Sequence, residues 1–184
     1  MHIHPLQQLL HQKYNSYYFK KKKILTNLEK LSADYIILDL GAGSSYNVID
    51  FFLTSYKGTL VVTPELTSIL NAYSFLKSTV FRFLYRQFPA KSPERQVLQN
   101  SILKRMEGKE YSFAQIMEVM CKTFPETANR AKNEMKKLKP RVIMNRGRSN
   151  SDIEMGNRLY NLAKKKLAIE IEYIGFIPYD ERVP

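Results

Sequence analysis

Cysteine is nearly absent from this chain of 184 residues. Cys121 is the only one, so no disulfide can form within the chain and no cysteine cluster can bind a metal. We therefore expect a reducing compartment, the cytoplasm. A chain of this length buries roughly 70% of the surface that its unfolded form exposes, so we expect a single domain over residues 1–184 that needs no crosslinks.

Long apolar runs and leader-peptide features are also missing. No stretch of 18 apolar residues occurs, and the opening sequence MHIHPLQQLLHQKYN lacks a charged region followed by an apolar one. We expect a soluble protein. The G-x-S-x-G pattern of serine hydrolases is absent, and Cys121 has no histidine nearby in sequence, so neither hydrolase nor thiol chemistry is expected.

Acidic residues are too few to balance the basic ones. The chain carries 29 Lys and Arg against 17 Asp and Glu, a net charge of +12. Such a surface can bind polyanions, either nucleic acid or an anionic membrane. Alternatively, the basic runs are the solvated faces of amphipathic helices. The main runs are Lys20–Lys23, Lys136–Lys137 with Lys139, and Lys164–Lys166.

The segment DYIILDLGAG, Asp34 to Gly43, joins an apolar run to a glycine-rich turn. Its apolar residues, from Tyr35 to Leu40, predict a central parallel strand that is buried on both faces. Asp39 would lie at the carboxyl end of that strand, where open α/β sheets bind ligands. The glycines permit positive φ and close backbone approach. The segment predicts a phosphate-and-magnesium site or, alternatively, an ordinary strand followed by a glycine-containing loop.

The rest of the chain alternates between strand and helix patterns, which predicts an α/β fold with a mostly parallel sheet. The predicted helices span residues 18–31, Val48–Leu53 (capped by Ser44 and Ser45), Ile69–Tyr85 and about 153–167, and the predicted strands are Thr59–Thr63, 141–145 and Ile169–Ile177.

Between residues 81 and 139 the pattern is helical throughout, which predicts an inserted helical segment. Its helices are predicted over Pro93–Met106, Phe113–Lys122 and Thr127–Leu138. At its start, the sequence FRFLYRQF places Arg82 and Arg86 among aromatic residues. These side chains could stack on nucleic-acid bases, or the aromatic and leucine side chains could form a packing face.

The order of these motifs resembles the MinD/ParA family of deviant P-loop ATPases, especially its flagellar-number and chromosome-partitioning branch. The resemblance rests on DYIILDLGAG, TLVVTPELTSILNAY, a strand ending in Asn-Arg, and YIGFIPYDERV, and it covers about residues 18–183. It implies a Rossmann-like, three-layer P-loop NTPase fold. It also implies an ATPase that positions cellular cargo by ATP-dependent dimerisation on a surface, so a homodimer and an anionic surface of DNA or membrane are the expected partners.

The resemblance assigns roles on the phosphate side of a nucleotide site. Asp39 would be the catalytic-site acid that holds the water shell of Mg²⁺. Gly41, Ala42 and Gly43 would form the switch that senses the γ-phosphate of ATP. The PE-TS turn around Glu65 would be a structural or dimer-contact feature.

The resemblance also assigns the base side of the site. Asn145, followed by Arg146, would reach the adenine edge through a carboxamide that both donates and accepts hydrogen bonds. The loop that closes over the base would contain Pro178, Tyr179 and Asp180.

One family feature is missing from the sequence: the loop KGGxGK[ST], whose amides and lysines hold the phosphates. We therefore expect no ATP hydrolysis by this chain, and a sheet of four parallel strands without the phosphate-loop strand. We interpret the sequence as a truncated homologue, a fragment or a misassigned reading frame. The alternatives are a basic, non-catalytic module that binds nucleic acid or membrane, and a non-functional remnant of an ATPase.

Overall fold

The computed structural model describes residues 23–24, 26–28, 30–106 and 112–183, and the side chains of residues 101–106 and 150 are excluded from this description. The chain divides into two units, Met1–Leu40 and Gly41–Pro184.

In the first unit, the predicted strand at Tyr35–Leu40 is wrong. Residues 23–24 and 26–28 are helical, which agrees with the prediction of a helix over 18–31, the rest of which lies largely outside the described residues. Residues 35–40 have neither helical nor strand structure, and Tyr35 and Ile37 are each 90% exposed. A strand requires a neighbour to complete its backbone hydrogen bonds, and no described residue pairs with this segment.

The second unit contains a small sheet of three parallel strands: β1 (Thr59–Val62), β2 (Arg141–Gly147) and β3 (Glu172–Pro178). The strands lie in the order β1-β2-β3. Val61 pairs with Ile143 in the first ladder, and Ile143 pairs with Gly175 in the second. The predicted α/β class with parallel strands is confirmed, whereas the predicted number of four strands is wrong because Tyr35–Leu40 does not join the sheet.

In the second unit, one helix precedes β1 and the other helices lie between the strands. They are α1 (Tyr46–Phe52), α2 (Leu66–Arg86), α3 (Pro93–Met106), α4 (Phe113–Thr123), α5 (Pro125–Met135) and α6 (Asn150–Leu162). A single π-helical turn, Ala163–Leu167, continues α6. The predicted helices are confirmed with small differences at their ends.

Short polar residues determine where several helices begin. The Ser45 hydroxyl accepts a hydrogen bond from the Val48 amide at the start of α1, as predicted. Ser112 and Gln115 form a reciprocal capping box on α4. Each cap satisfies backbone groups that the first helical turn would otherwise leave unpaired, so these boundaries are encoded locally in the sequence.

A single hydrophobic core joins the sheet to the helices. Leu76, Val80 and Leu84 of α2 are fully buried, and Val142 and Met144 of β2 belong to the same cluster. The helical segment between β1 and β2 contributes to this core through residues that include Met120 and Leu138. In the tract FRFLYRQF, Leu84 and Phe88 are buried, so the packing interpretation is confirmed.

The opposite face of the sheet is open in the second unit. The Val61 side chain of β1 is 63% exposed. Ile174 and Ile177 of β3 are also about half exposed. The helices therefore cover one face of the sheet, and β1 has the burial of an edge strand rather than a central strand.

A buried ion pair fastens α1 to α2. Arg82 donates from Nε to Asp50 Oδ1 at 2.7 Å and from Nη2 to Asp50 Oδ2 at 2.8 Å. Asp50 is only 4% exposed, and the Arg82 guanidinium also lies over the Tyr46 ring. Arg82 is thus used within the fold. Among the described helices, none combines the length and apolar character needed to cross a membrane.

Candidate functional site

The parallel pairing of β2 and β3 brings two predicted site segments to one edge of the sheet. Asn145 pairs with Ile177, and Gly147 pairs with Pro178 after an irregularity in the register. The Tyr179 amide then donates a 2.8 Å hydrogen bond to the Gly147 carbonyl oxygen. The predicted base-side residues Asn145, Arg146, Pro178, Tyr179 and Asp180 therefore lie together at the carboxyl ends of two neighbouring strands, which is the ligand-binding edge of open α/β sheets.

The end of β2 has an unusual backbone that follows from a local bulge. Arg146 adopts a left-handed conformation with φ of 61°, and its amide donates to Asn145 Oδ1 at 2.9 Å. This bond fixes the carboxamide orientation, and the Asn145 NH2 group has no protein partner among the described residues. Asn145 therefore presents two hydrogen-bond donors at a half-buried position.

Close approach of a side chain explains the glycine in this bulge. The ring of Phe176 packs directly against Gly147, and a β-carbon on Gly147 would overlap that ring. A larger residue would require the Phe176 ring to move, so glycine is the residue that allows this ring to pack against the end of β2.

Two arginines flank the Tyr179 ring. The guanidinium carbon of Arg148 lies 4.2 Å from the ring centre, and that of Arg146 lies 5.5 Å from it. Both arginine side chains are exposed, whereas Tyr179 is half buried. Cation–π attraction orients the two cations beside an aromatic surface. No role was predicted for Arg148, although the N-R-G-R run at the end of β2 was its signal.

A carboxylate positions the backbone of Arg148. Asp152 Oδ2 accepts hydrogen bonds from the amides of Arg148, at 2.6 Å, and Ser149, at 3.0 Å. The bond from the Arg148 amide is the main reason that the pKa of Asp152 lies below its usual value. The contact is therefore complete above the ordinary aspartate pKa of about 4, and it is lost as the pH falls through the lowered pKa.

Asp180 is occupied by an interaction within its own loop. Arg182 donates to Asp180 from Nη2 at 2.7 Å, from Nε at 3.0 Å and from its backbone amide at 2.9 Å. These bonds, with the Arg182 side chain first, lower the pKa of Asp180. Asp180 thus shapes the turn after β3, and Arg182 is a further residue that the sequence analysis did not single out.

The residues that were predicted to form the phosphate side of the site do not lie at the end of a strand. Asp39 is exposed in the first unit and does not end a strand. Gly41, Ala42 and Gly43 are exposed in the second unit, and Gly43 has the positive φ, 113°, that favours glycine. An added β-carbon at Gly41 or Gly43 would meet no atom within 4 Å, so the expected close approach is absent from the described residues.

The described residues fit the base side of a nucleotide better than its metal side. The Asn145 amide and the Tyr179 ring provide hydrogen bonding and an aromatic surface for a planar base. In the described parts of the chain, no group of three or more His, Cys, Asp or Glu side chains is arranged to hold a metal ion.

Comparison with protein-family models, with curated proteins and with solved structures found no significant match to this chain.

Proposed function

We propose that this chain binds an adenine nucleotide at the carboxyl edge of β2 and β3, as an ATP-binding relative of the MinD/ParA proteins that position cellular cargo. The observation that carries the proposal is the convergence of Asn145, Tyr179 and Arg148 at one sheet edge. Each supplies a different part of nucleotide recognition: hydrogen bonds to the base edge, an aromatic surface, and a cation for the phosphates.

The Asn145 carboxamide has the hydrogen-bonding groups needed to recognise adenine. Its Oδ1 is oriented by the Arg146 amide, and its NH2 group can donate to a ring nitrogen of the base. The guanidinium groups of Arg146 and Arg148, which both lie near the Tyr179 ring, would attract a phosphate chain. We propose binding without turnover, because the sequence lacks the glycine-rich lysine loop that stabilises a transferring phosphoryl group.

The Rossmann-like P-loop architecture belongs to the same proposal. Three parallel strands with helices packed on one face are compatible with part of such a fold. A role for Asp39 at the water shell of Mg²⁺ is proposed from the family resemblance. A homodimer and a cytoplasmic location are likewise proposed from the family resemblance.

A fluorescent ATP analogue, titrated into the full chain with magnesium, tests the proposal. Asn145→Asp keeps the oxygen that accepts from the Arg146 amide but removes the NH2 donors, so we expect about tenfold weaker binding. Asn133→Asp is the matched control, because it makes the same change in charge at an exposed position of α5. GTP should compete more weakly than ATP.

A second pair of variants distinguishes a specific contribution of Arg148 from the general effect of positive charge on ATP binding. Arg148→Ala removes the cation that lies over Tyr179, and Arg158→Ala removes an exposed cation from α6. We expect only Arg148→Ala to weaken ATP binding, by at least about tenfold, since single charge-assisted bonds contribute about 1.5–3 kcal/mol. Equal affinities in all four variants, or no binding at millimolar ATP, would contradict the proposal. ATP turnover that Asp39→Ala abolishes would contradict its non-catalytic part.

A second candidate function is polyanion binding, to nucleic acid or to an anionic membrane. It is favoured by the net charge of +12 and by the exposed guanidinium groups of Arg146 and Arg148 beside an aromatic ring. Arginine and aromatic side chains together are typical of single-stranded nucleic-acid binding. This candidate requires neither ATP nor Asn145, which separates it from the first.

A further inference from the structure

A cavity of about 500 Å³ lies between α4, α5 and the residue that follows the π-helical turn. Its floor is formed by Phe113 and Met117 of α4 and by Met135 of α5, all of them buried in the core. A volume of this size is typical of pockets that accept small molecules. Methionine side chains are unbranched and polarizable, so this floor can adapt to apolar groups of different shape.

The rim of this cavity is positively charged on one side. Lys132 and Lys136 line it from α5 and its C-terminal cap, one helical turn apart. Neither forms an ion pair with an acid among the described residues, although the Lys136 ammonium donates to Asn133 Oδ1. Like charges at this spacing repel each other, and an anion between them would relieve the repulsion.

The acidic residue at the rim does not neutralise these lysines. Glu118 accepts a 2.8 Å hydrogen bond from Lys122, four residues later on the same helix. This bond is the main reason for the lowered pKa of Glu118. The charge of Glu118 is therefore balanced within α4, and Lys132 and Lys136 retain a net positive charge at the cavity.

The cavity is bounded on its third side by strained backbone. Ala168 lines it in a left-handed conformation, with φ of 54°, directly after the π-helical turn Ala163–Leu167. The left-handed form is unfavourable for alanine because its β-carbon approaches the following carbonyl oxygen. Single π-helical turns within longer helices frequently occur at functional sites. Here the π turn leads directly into Ala168, which completes the cavity wall.

We infer that this cavity binds a small anionic amphiphile, a free molecule with one apolar chain and one carboxylate head. The apolar chain would lie against Phe113, Met117 and Met135, and the carboxylate would lie between Lys132 and Lys136. The apolar floor alone would accept any hydrocarbon, whereas the two lysines select for an anionic head. The site is separate from the sheet edge that contains Asn145, and the inference does not rest on nucleotide binding.

Cys121 makes the inference directly testable, because it lines the cavity, is half exposed and is the only cysteine of the chain. The experiment measures the rate at which iodoacetamide alkylates Cys121 in the full chain, by intact mass, as decanoate is added below its micelle concentration. At a decanoate concentration about ten times its Kd, roughly a tenth of the sites remain free, so alkylation should slow about tenfold. The neutral analogue 1-decanol should protect at least tenfold less effectively.

Three variants sharpen the result. Lys132→Gln with Lys136→Gln should raise the decanoate concentration for half-protection about tenfold. Lys165→Gln with Lys166→Gln makes the same change in charge at exposed positions outside the cavity, and it should have no effect. Ala114→Trp places a large side chain at the exposed rim, and it should slow alkylation without decanoate and remove the effect of decanoate.

Four outcomes would overturn the inference. They are the absence of protection at millimolar decanoate, equal protection by 1-decanol, equal behaviour of the two lysine double variants, and protection by anionic phospholipid vesicles alone. The last would assign the cavity to a membrane surface. If Cys121 resists alkylation even without decanoate, calorimetric titration of decanoate into the same set of variants decides the question by the same criteria.

Discussion

At the scale of single residues, three consecutive residues at the end of β2 have different structural roles. Asn145 Oδ1 accepts a hydrogen bond from the Arg146 amide, which leaves the NH2 group of Asn145 as a donor. Arg146 adopts the left-handed conformation, and Gly147 allows the Phe176 ring to pack against it. The sequence predicted Asn145 and Arg146 through a resemblance. It did not indicate why glycine follows them, because Phe176 is 29 positions away and the contact depends on the pairing of β2 with β3.

Thr79 offers a test of core packing at a single residue. It is fully buried in α2, and its hydroxyl has no hydrogen-bond partner among the described residues. Burying a polar group without a partner is unfavourable, so we expect Thr79→Val to raise the free energy of unfolding by about 1 kcal/mol. Urea denaturation followed by circular dichroism measures this change.

Thr123→Val is the control for this prediction. Thr123 is exposed on α4, and its hydroxyl donates to the Val119 carbonyl oxygen at 2.9 Å. The substitution removes a satisfied surface hydrogen bond, so the free energy of unfolding should change by no more than about 0.5 kcal/mol. A clear loss of stability in Thr79→Val would mean that the hydroxyl has a bonding partner in solution.

At the scale of elements, the helices were predictable because their signals are local. Apolar residues at three- and four-residue spacing predicted α2, and Ser45 predicted the start of α1. The strands β1, β2 and β3 were predicted from short apolar runs. The segment Tyr35–Leu40 has the same kind of run, but it has no strand structure. Composition indicates that a segment can form a strand, whereas pairing requires a neighbour elsewhere in the chain.

Amide hydrogen exchange tests this distinction. No backbone hydrogen bond involves residues 35–40 within the described part of the chain, so their amides should exchange at rates within about tenfold of those of an unfolded chain. The amides of Val142 and Met144, in the central strand of the sheet, should exchange far more slowly. Mass spectrometry or NMR of the isolated protein gives both rates. Protection of residues 35–40 comparable to that of β2 would mean that this segment is paired as a strand, as the sequence alone predicts.

At the scale of the whole molecule, the dominant property is charge. The excess of 12 positive charges is spread over the chain, and part of it is paired locally, as in the ion pairs of Lys122 with Glu118 and Lys137 with Glu134. Charge of one sign attracts polyanions with little regard to sequence. The affinity that results must depend strongly on salt.

Binding to random-sequence duplex DNA measures this property. We expect binding without nucleotide, with an affinity that falls at least about tenfold between 50 and 200 mM salt if two or more phosphates are neutralised. Arg158→Ala and Arg148→Ala should each reduce the slope of log affinity against log salt by at most about one. Affinity that does not change with salt, or no binding at 50 mM salt, would exclude DNA as the polyanion that this chain binds.

The sequence by itself determined the α/β class, the helices and their caps, the three strands of the sheet and the positive charge. These features depend on residues within a few positions of one another, or on composition alone. The tertiary structure decided which strand-like runs pair, that Arg148 joins Asn145 and Tyr179 at one edge, and that α4 and α5 enclose a cavity with a basic rim. Those features depend on contacts between residues distant in sequence, whose geometry is fixed only when the strands align and the helices pack into one core.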